Sequence, residues 1–263
     1  MLLWIAVFTY FTSGLSAIIT LMRGRKLNLW LVYGSACIGV LAHTIALTSD
    51  LLLNDQLRMS LLNSISICVW MTITVIVLSA LSKPLHNLFT FFMPAGALLL
   101  LIALLAPQPV TAKAYSAGML IHIFVSLLAY SVILITTIQA VLVNVQAHHL
   151  HKHQLNSRIM NILPPLQSME RLMFEWLIIG FVLLTAAIIT GGLYVENMLA
   201  QQISHKTILT LIGWGFFATL IFGHFYLGWR GARASRMIYL GAGFLMVAFV
   251  GSKFVLEYLL IPS

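Results

Sequence analysis

Charged residues are scarce in this sequence. Asp, Glu, Lys and Arg make up 8% of its 263 residues, against about 25% in a typical soluble domain. Only six residues are acidic, and only two are cysteines, Cys37 and Cys68, which lie in separate apolar stretches. These absences exclude a soluble domain with a charged surface, a disulfide framework and a CxxC redox motif.

Catalytic motifs are missing as well. The sequence has no paired carboxylates, no Gly-rich phosphate loop and no nucleophile elbow. Hydrolysis and phosphoryl transfer are therefore not predicted, and no catalytic residue is assigned. The net charge of +8 comes without any RNA- or DNA-binding motif, so nucleic acid is not a predicted partner.

Apolar residues make up 61% of the chain and fill eight long stretches. About 20 helical residues cross the hydrocarbon core of a bilayer, and helices satisfy their own backbone hydrogen bonds there. The sequence therefore predicts an all-α, polytopic membrane helix bundle of about eight transmembrane helices, forming a single domain over residues 1–263. The spans are placed at 2–22, 29–48, 60–81, 88–106, 118–146, 172–194, 207–228 and 236–258. No basic segment precedes the first span, so it is expected to be retained rather than cleaved as a signal peptide.

The distribution of basic residues predicts the orientation of the spans. The loops after spans 1, 3, 5 and 7 contain ten Lys and Arg residues, whereas the opposite side contains four. Loops rich in Lys and Arg face the cytoplasm. Both termini are therefore predicted to lie on the outer side of the membrane, and the net positive charge is explained by this bias.

Three single histidines lie inside the apolar stretches: His43, His122 and His224. A histidine within a bilayer needs a partner, a water-lined cavity or a ligand. His122 shares its helical face with Ser126 and Tyr130, at i+4 and i+8. Such a stripe is typical of a hydrogen-bonded seam between helices or of a ligand site, and the residues alone leave both interpretations open for each histidine.

Depth along the helices separates the three candidates. At 1.5 Å per residue, His43 and His122 both lie roughly 6–8 Å below the predicted outer surface. His224 falls in the cytoplasmic half of its span. Matched depth is compatible with one metal centre shared by His43 and His122, whereas His224 would belong to a separate site.

Several motifs resemble the cytochrome c assembly superfamily of haem-handling membrane proteins, and within it the CcsA-like, YpjD-type branch. The resemblance covers most of the chain. It rests on the pattern M-x-I-H-x-x-x-S-L-L-x-Y from Met119 to Tyr130, on the stretch from Ser168 to Tyr194, and on the helix from Lys206 to His224 with its following Gly-Trp-Arg-Gly turn.

The resemblance implies a multi-pass protein of the bacterial inner membrane that binds haem, here expected as haem b. It implies that His122 is an external haem ligand and that His224 is an inner, transmembrane haem ligand. Other cytochrome assembly or haem-handling proteins are the implied partners. His43 is not assigned by the resemblance; it is proposed as an axial ligand only from its matched depth.

Two departures from the family pattern bear on function. The family's tryptophan-rich platform corresponds to residues 196–207, which contain no tryptophan, and no histidine follows His224. These losses argue against a dedicated haem ligase. Three functions stay open: haem binding that assists cytochrome c maturation or haem traffic, a haem-free membrane scaffold or partner subunit, and a small-molecule transporter.

Overall fold

The computed structural model describes residues 1–23, 29–54, 57–82, 86–106, 112–113, 115–152, 164–194 and 201–255. Eight helices in these ranges are long and apolar enough to cross a membrane. The prediction of an all-α bundle with about eight transmembrane helices is confirmed. The lipid bilayer is therefore the environment in which these helices pack.

The chain forms two compact units with four long helices each. Unit 1 contains Met1–Ala114 and Leu155–Pro164, and unit 2 contains Tyr115–Gln154 and Pro165–Ser263. The long helices of unit 1 are α1 (Leu2–Met22), α2 (Leu29–Asn54), α3 (Leu61–Ser79) and α4 (His86–Leu105). Those of unit 2 are α5 (Ala117–His151), α6 (Leu166–Tyr194), α7 (Gln201–Leu227) and α8 (Gly231–Met246). The single domain over residues 1–263 stays a prediction.

Two short features complete the element order. In unit 1, strand β1 (Leu57–Arg58) pairs antiparallel with strand β2 (Ala112–Lys113). In unit 2, α8 continues into a π-helical turn (Val247–Gly251) and a short helix, α9 (Ser252–Phe254). π-helical turns occur frequently at functional sites.

The helix ends follow local hydrogen-bonding chemistry rather than hydropathy alone. The Ser60 side chain accepts a hydrogen bond from the Asn63 N–H group and caps α3. The Ser116 side chain accepts from the Met119 N–H group and caps α5. Helix α6 begins six residues before its predicted span, because the Pro165 carbonyl accepts hydrogen bonds from the N–H groups of Ser168 and Met169. Helix α2 likewise continues six residues beyond its predicted end.

Unit 1 is built around α1, which packs against α2 and α4. Gly14 of α1 lies directly against Pro94 of α4, where a Cβ atom would come within 2.5 Å of the Pro94 Cδ. Small residues permit this close approach of two membrane helices. Elsewhere on α1, Trp4 and Phe8 are exposed, as expected for side chains that face lipid.

Unit 2 pairs α5 with α6 and with α8, and α7 with α8 and with α6. Between α6 and α7, the Trp214 indole N–H donates to the Thr185 hydroxyl at 2.9 Å. Between α5 and α6, the Gln139 side-chain amide donates to the Met169 carbonyl at 3.3 Å. Hydrogen bonds of this kind join membrane helices where no hydrophobic force operates between them.

We predict that Gly14→Ala destabilises the protein by about 1–3 kcal/mol, because the added Cβ would overlap backbone and ring atoms of Pro94 that cannot move aside. The measurement is thermal unfolding in detergent. Gly34→Ala is the matched control, since a Cβ there meets nothing within 4 Å. Equal melting temperatures for the two variants would show that α1 and α4 do not approach closely at Gly14.

Candidate functional site

His43 lies fully buried inside unit 1, and both of its ring nitrogens have a hydrogen-bonding partner. Its Nε2 lies 3.0 Å from the Ser66 hydroxyl, and its Nδ1 lies 3.4 Å from the Tyr10 hydroxyl. A neutral imidazole has one donor and one acceptor nitrogen, and each hydroxyl can serve either. The three side chains therefore form a polar link between α1, α2 and α3.

Further contacts hold α1, α2 and α3 together around His43. Tyr10 packs against the backbone of Gly39, one turn before His43. The Trp70 indole N–H donates to the Thr44 hydroxyl at 2.8 Å, which gives α2 and α3 a second polar contact. To ligate a metal, His43 would have to give up a buried hydrogen bond. The centre shared by His43 and His122 stays a prediction.

His122 lies in the second turn of α5 and is oriented by the last turns of α6. Its Nδ1 lies 3.0 Å from the Ala187 carbonyl oxygen and 3.3 Å from the Thr190 hydroxyl. Because a carbonyl only accepts hydrogen bonds, Nδ1 carries the proton. The lone pair is then on Nε2, the arrangement in which histidine binds metals, with the other ring nitrogen donating to a carbonyl.

Positive charge and aromatic rings lie at the same end of unit 2 as His122. Lys206 lies in the second turn of α7. The Lys206 and Lys253 ammonium groups lie 5.9 and 5.8 Å from the centroid of the Phe249 ring. Phe249 belongs to the π-helical turn and stacks on Tyr130, with ring centroids 5.0 Å apart.

His224 lies in the last turn of α7 and is held by the turn that follows. Its Nδ1 donates to the Trp229 carbonyl at 3.0 Å, which again leaves the lone pair on Nε2. The ring stacks on Phe174 of α6, with centroids 3.6 Å apart and planes inclined by 17°. The Phe225 ring meets it edge-on at 5.4 Å.

The turn between α7 and α8 fixes the position of that carbonyl. Gly228 has a positive φ of 66°, and the Trp229 N–H donates to the Gly223 carbonyl at 3.0 Å, as in helix ends closed by a left-handed glycine. The Trp229 ring then lies against the Gly223 backbone. The Glu170 carboxylate accepts from the Gly231 N–H at 2.9 Å, which places a negative charge at the start of α8.

His122 and His224 therefore lie at opposite ends of unit 2. Ala187, which holds His122, and Phe174, which stacks on His224, are thirteen residues apart on α6. At 1.5 Å per residue, this separation is roughly 20 Å. One metal ion could not be bound by both histidines, and a separate site at His224 stays a prediction.

Metal ions do not have a ready-made protein cage in the part of the chain that the structure describes. No group of three or more His, Cys, Asp or Glu side chains is arranged to hold an ion there. A metal at His122 or His224 must bring most of its ligands with it. Haem iron does so, because its porphyrin fills four positions and leaves the axial positions to side chains such as histidine.

Sequence reasoning did not find the cluster of Lys206, Phe249, Lys253 and Tyr130. A usable signal was present: both lysines lie near the predicted outer ends of their spans, and Tyr130 is on the face of His122. The register that brings both ammonium groups to one phenylalanine depends on the packing of α7 against α8 and its π-helical turn, which spacing along the chain does not give.

The chain matches a known protein family. The family model described as "Cytochrome C assembly protein" matches residues 29–260. The chain therefore belongs to the cytochrome c assembly protein family. This membership supports a role in haem handling or cytochrome maturation in general terms.

The chain is also similar to individual bacterial proteins. The chain is 31% identical over 224 residues to "Inner membrane protein YpjD" of Escherichia coli K12, with 84% of each protein covered. It is 29% identical over 209 residues to the "Uncharacterized 28.8 kDa protein in nifR3-like 5'region" of Azospirillum brasilense, covering 74% of this chain and 76% of the relative. No solved structure matches the chain significantly.

We predict that Gly223→Ala disturbs the His224 site, because the new Cβ would collide with the Trp229 ring and displace the carbonyl that orients the imidazole. A loss of about 1–3 kcal/mol is expected in thermal unfolding, together with a shift in the indole emission spectrum. Gly215→Ala, on the same helix with nothing within 4 Å of a Cβ, serves as the control. An unchanged Gly223→Ala protein would contradict the packing of Trp229 described here.

Proposed function

We propose that the chain binds haem b at two separate sites in unit 2, through Nε2 of His122 and through Nε2 of His224. In this proposal it is a multi-pass protein of the bacterial inner membrane that assists cytochrome c maturation or haem traffic. Other cytochrome assembly or haem-handling proteins are its proposed partners. Family membership supports the haem-related role, and the name of the Escherichia coli relative, an inner membrane protein, supports the location.

One observation carries the assignment of the ligands. At both His122 and His224, the Nδ1–H donates to a backbone carbonyl, at 3.0 Å in each case. This hydrogen bond fixes the tautomer and the orientation of the ring, and it increases the basicity of Nε2. Bound haem supplies an iron whose axial position accepts such a nitrogen.

The side chains around each histidine also suit a flat, apolar ligand. His224 stacks on Phe174 and meets Phe225 edge-on. The end of unit 2 that holds His122 contains the stacked rings of Tyr130 and Phe249. Histidine is one of the side chains that ligate haem iron, and the polarity of its surroundings adjusts the reduction potential of the iron.

In this proposal, His43 stabilises the fold of unit 1 and does not bind haem. Its two nitrogens are engaged by Ser66 and Tyr10 inside unit 1, whereas His122 and His224 each present one nitrogen without a hydrogen-bonding partner among the described residues. Buried polar groups that lose their partners destabilise a protein by about 1–3 kcal/mol. Replacement of His43 should therefore affect stability more than haem content.

Loss of the tryptophan-rich platform limits what the proposal includes. Residues 196–207 contain no tryptophan, so presentation of haem to an apocytochrome by a dedicated ligase is not proposed. Binding and passing of haem require only the ligands and their apolar surroundings. A haem-free scaffold that keeps the fold is the competing function, and it makes the opposite prediction about the purified protein.

We predict that the detergent-purified protein shows a Soret band and a positive pyridine haemochrome test. His122→Ala and His224→Ala should each lose the haem of their own site and keep that of the other, because the two sites lie roughly 20 Å apart along α6. His43→Ala should keep its haem per folded protein and melt at a lower temperature. The measurements are absorption spectra, oxidised and reduced, with haem quantified against protein.

His148→Ala provides the matched control, since it removes an exposed histidine from the far end of α5. Its haem content should equal that of the wild type. Equal haem in wild type and His122→Ala would reject His122 as a ligand. A protein without haem, even after growth with added haem precursor, would reject the haem proposal and favour the scaffold.

A further inference from the structure

We propose that Lys206 is the counter-ion for a carboxylate of the ligand held by His122, so that this end of unit 2 binds an amphipathic, acidic tetrapyrrole at two points. The inference rests on the proposed function and extends it to a residue outside the iron coordination. Its basis is the position of Lys206 relative to His122, Phe249 and Lys253.

Lys206 lies in the second turn of α7, at the start of the apolar span His205–Leu227. Its side chain is half-buried. Its ammonium group lies 5.9 Å from the Phe249 ring centroid, near the outer limit for a cation–π interaction. An aromatic ring stabilises a cation but does not neutralise its charge.

No carboxylate of the described residues forms an ion pair with Lys206. The ion pair found in those ranges joins Arg171 to Glu175, at 3.7 Å, and both belong to the first turns of α6, at the opposite end of unit 2. Charged residues inside a membrane span usually pair with an opposite charge or mark a ligand or ion pathway. A ligand that brings its own negative charge would complete this site.

His122 and Lys206 supply two different kinds of contact at one end of unit 2, where the stacked rings of Tyr130 and Phe249 lie between α5 and the Lys206 ammonium group. The imidazole offers Nε2 to a metal, and the ammonium offers N–H donors to an anion. Haem matches both, since it has an iron at the centre of its ring and two carboxylates at one edge. Tyr130 and Phe249 add the aromatic surface that an apolar macrocycle prefers. Lys253, whose ammonium group lies 5.8 Å from the centroid of the same ring, adds a second positive charge.

An anionic lipid headgroup also carries a negative charge that an ammonium group would bind. The experiment therefore compares haem with haem dimethyl ester, in which both carboxylates are neutral. Dissociation constants are measured by Soret titration of apo-protein in nanodiscs of phosphatidylcholine alone and of phosphatidylcholine with phosphatidylglycerol. His122→Ala reports binding at the other site and is subtracted.

The wild type should bind haem about tenfold more tightly than the ester. Lys206→Met should reduce this ratio to about one by weakening haem and leaving the ester unchanged, while Lys206→Arg should preserve the ratio because it keeps the charge. Circular dichroism and size exclusion establish that the variants are folded. These results together would support the assignment.

Three results would overturn it. An unchanged ratio in folded Lys206→Met would show that Lys206 does not contact the carboxylates, with haem binding by His122 still intact. Competition by phosphatidylglycerol that disappears in Lys206→Met, with no change in the ester ratio, would assign Lys206 to a lipid headgroup. Failure of the wild type to bind either haem or its ester would reject the proposed function itself, and the inference with it.

Discussion

The rest of this structure depends on one constraint: within lipid, every polar group must find its partner in the protein. For the backbone, the constraint selects helices. For an imidazole, it acts on each nitrogen separately, because a neutral ring has one donor and one acceptor. His43 satisfies both nitrogens with hydroxyl groups. Among the described residues, His122 and His224 have a hydrogen-bonding partner only at Nδ1, and this difference is the basis for proposing a structural role for His43 and ligand roles for the other two.

Sequence alone predicted the class of fold because the signal is strong in every span: apolar runs of bilayer length admit helices and little else. It placed α1 from residue 2 to residue 22, as observed. It missed the first turns of α6, where polar residues are helical because the Pro165 carbonyl receives their N–H groups. Hydropathy reports which part of a helix lies in lipid, whereas helix ends are decided by hydrogen bonds that it does not count.

The candidate site was predictable in its residues and not in its geometry. His122 and His224 stand out as lone imidazoles in apolar runs, but their roles depend on partners that the pattern does not identify. Ala187 and Thr190 come from another helix. The Trp229 carbonyl is only five residues from His224, yet its direction depends on a left-handed glycine. Spacing in the sequence shows which residues are close along one helix. It does not show which ring nitrogen of a histidine carries the proton.

Helix α6 links the two ends of unit 2, and this explains why the sites are separate yet alike. Near its start, Phe174 stacks on His224 and Glu170 holds the first turn of α8. Near its end, Ala187 and Thr190 orient His122. Because a helix is stiff along its axis, the spacing of the two imidazoles is set by the length of α6 and α7 rather than by either site. In the proposed function, one haem iron would not be shared by the two histidines, and each end would gain and release its haem independently.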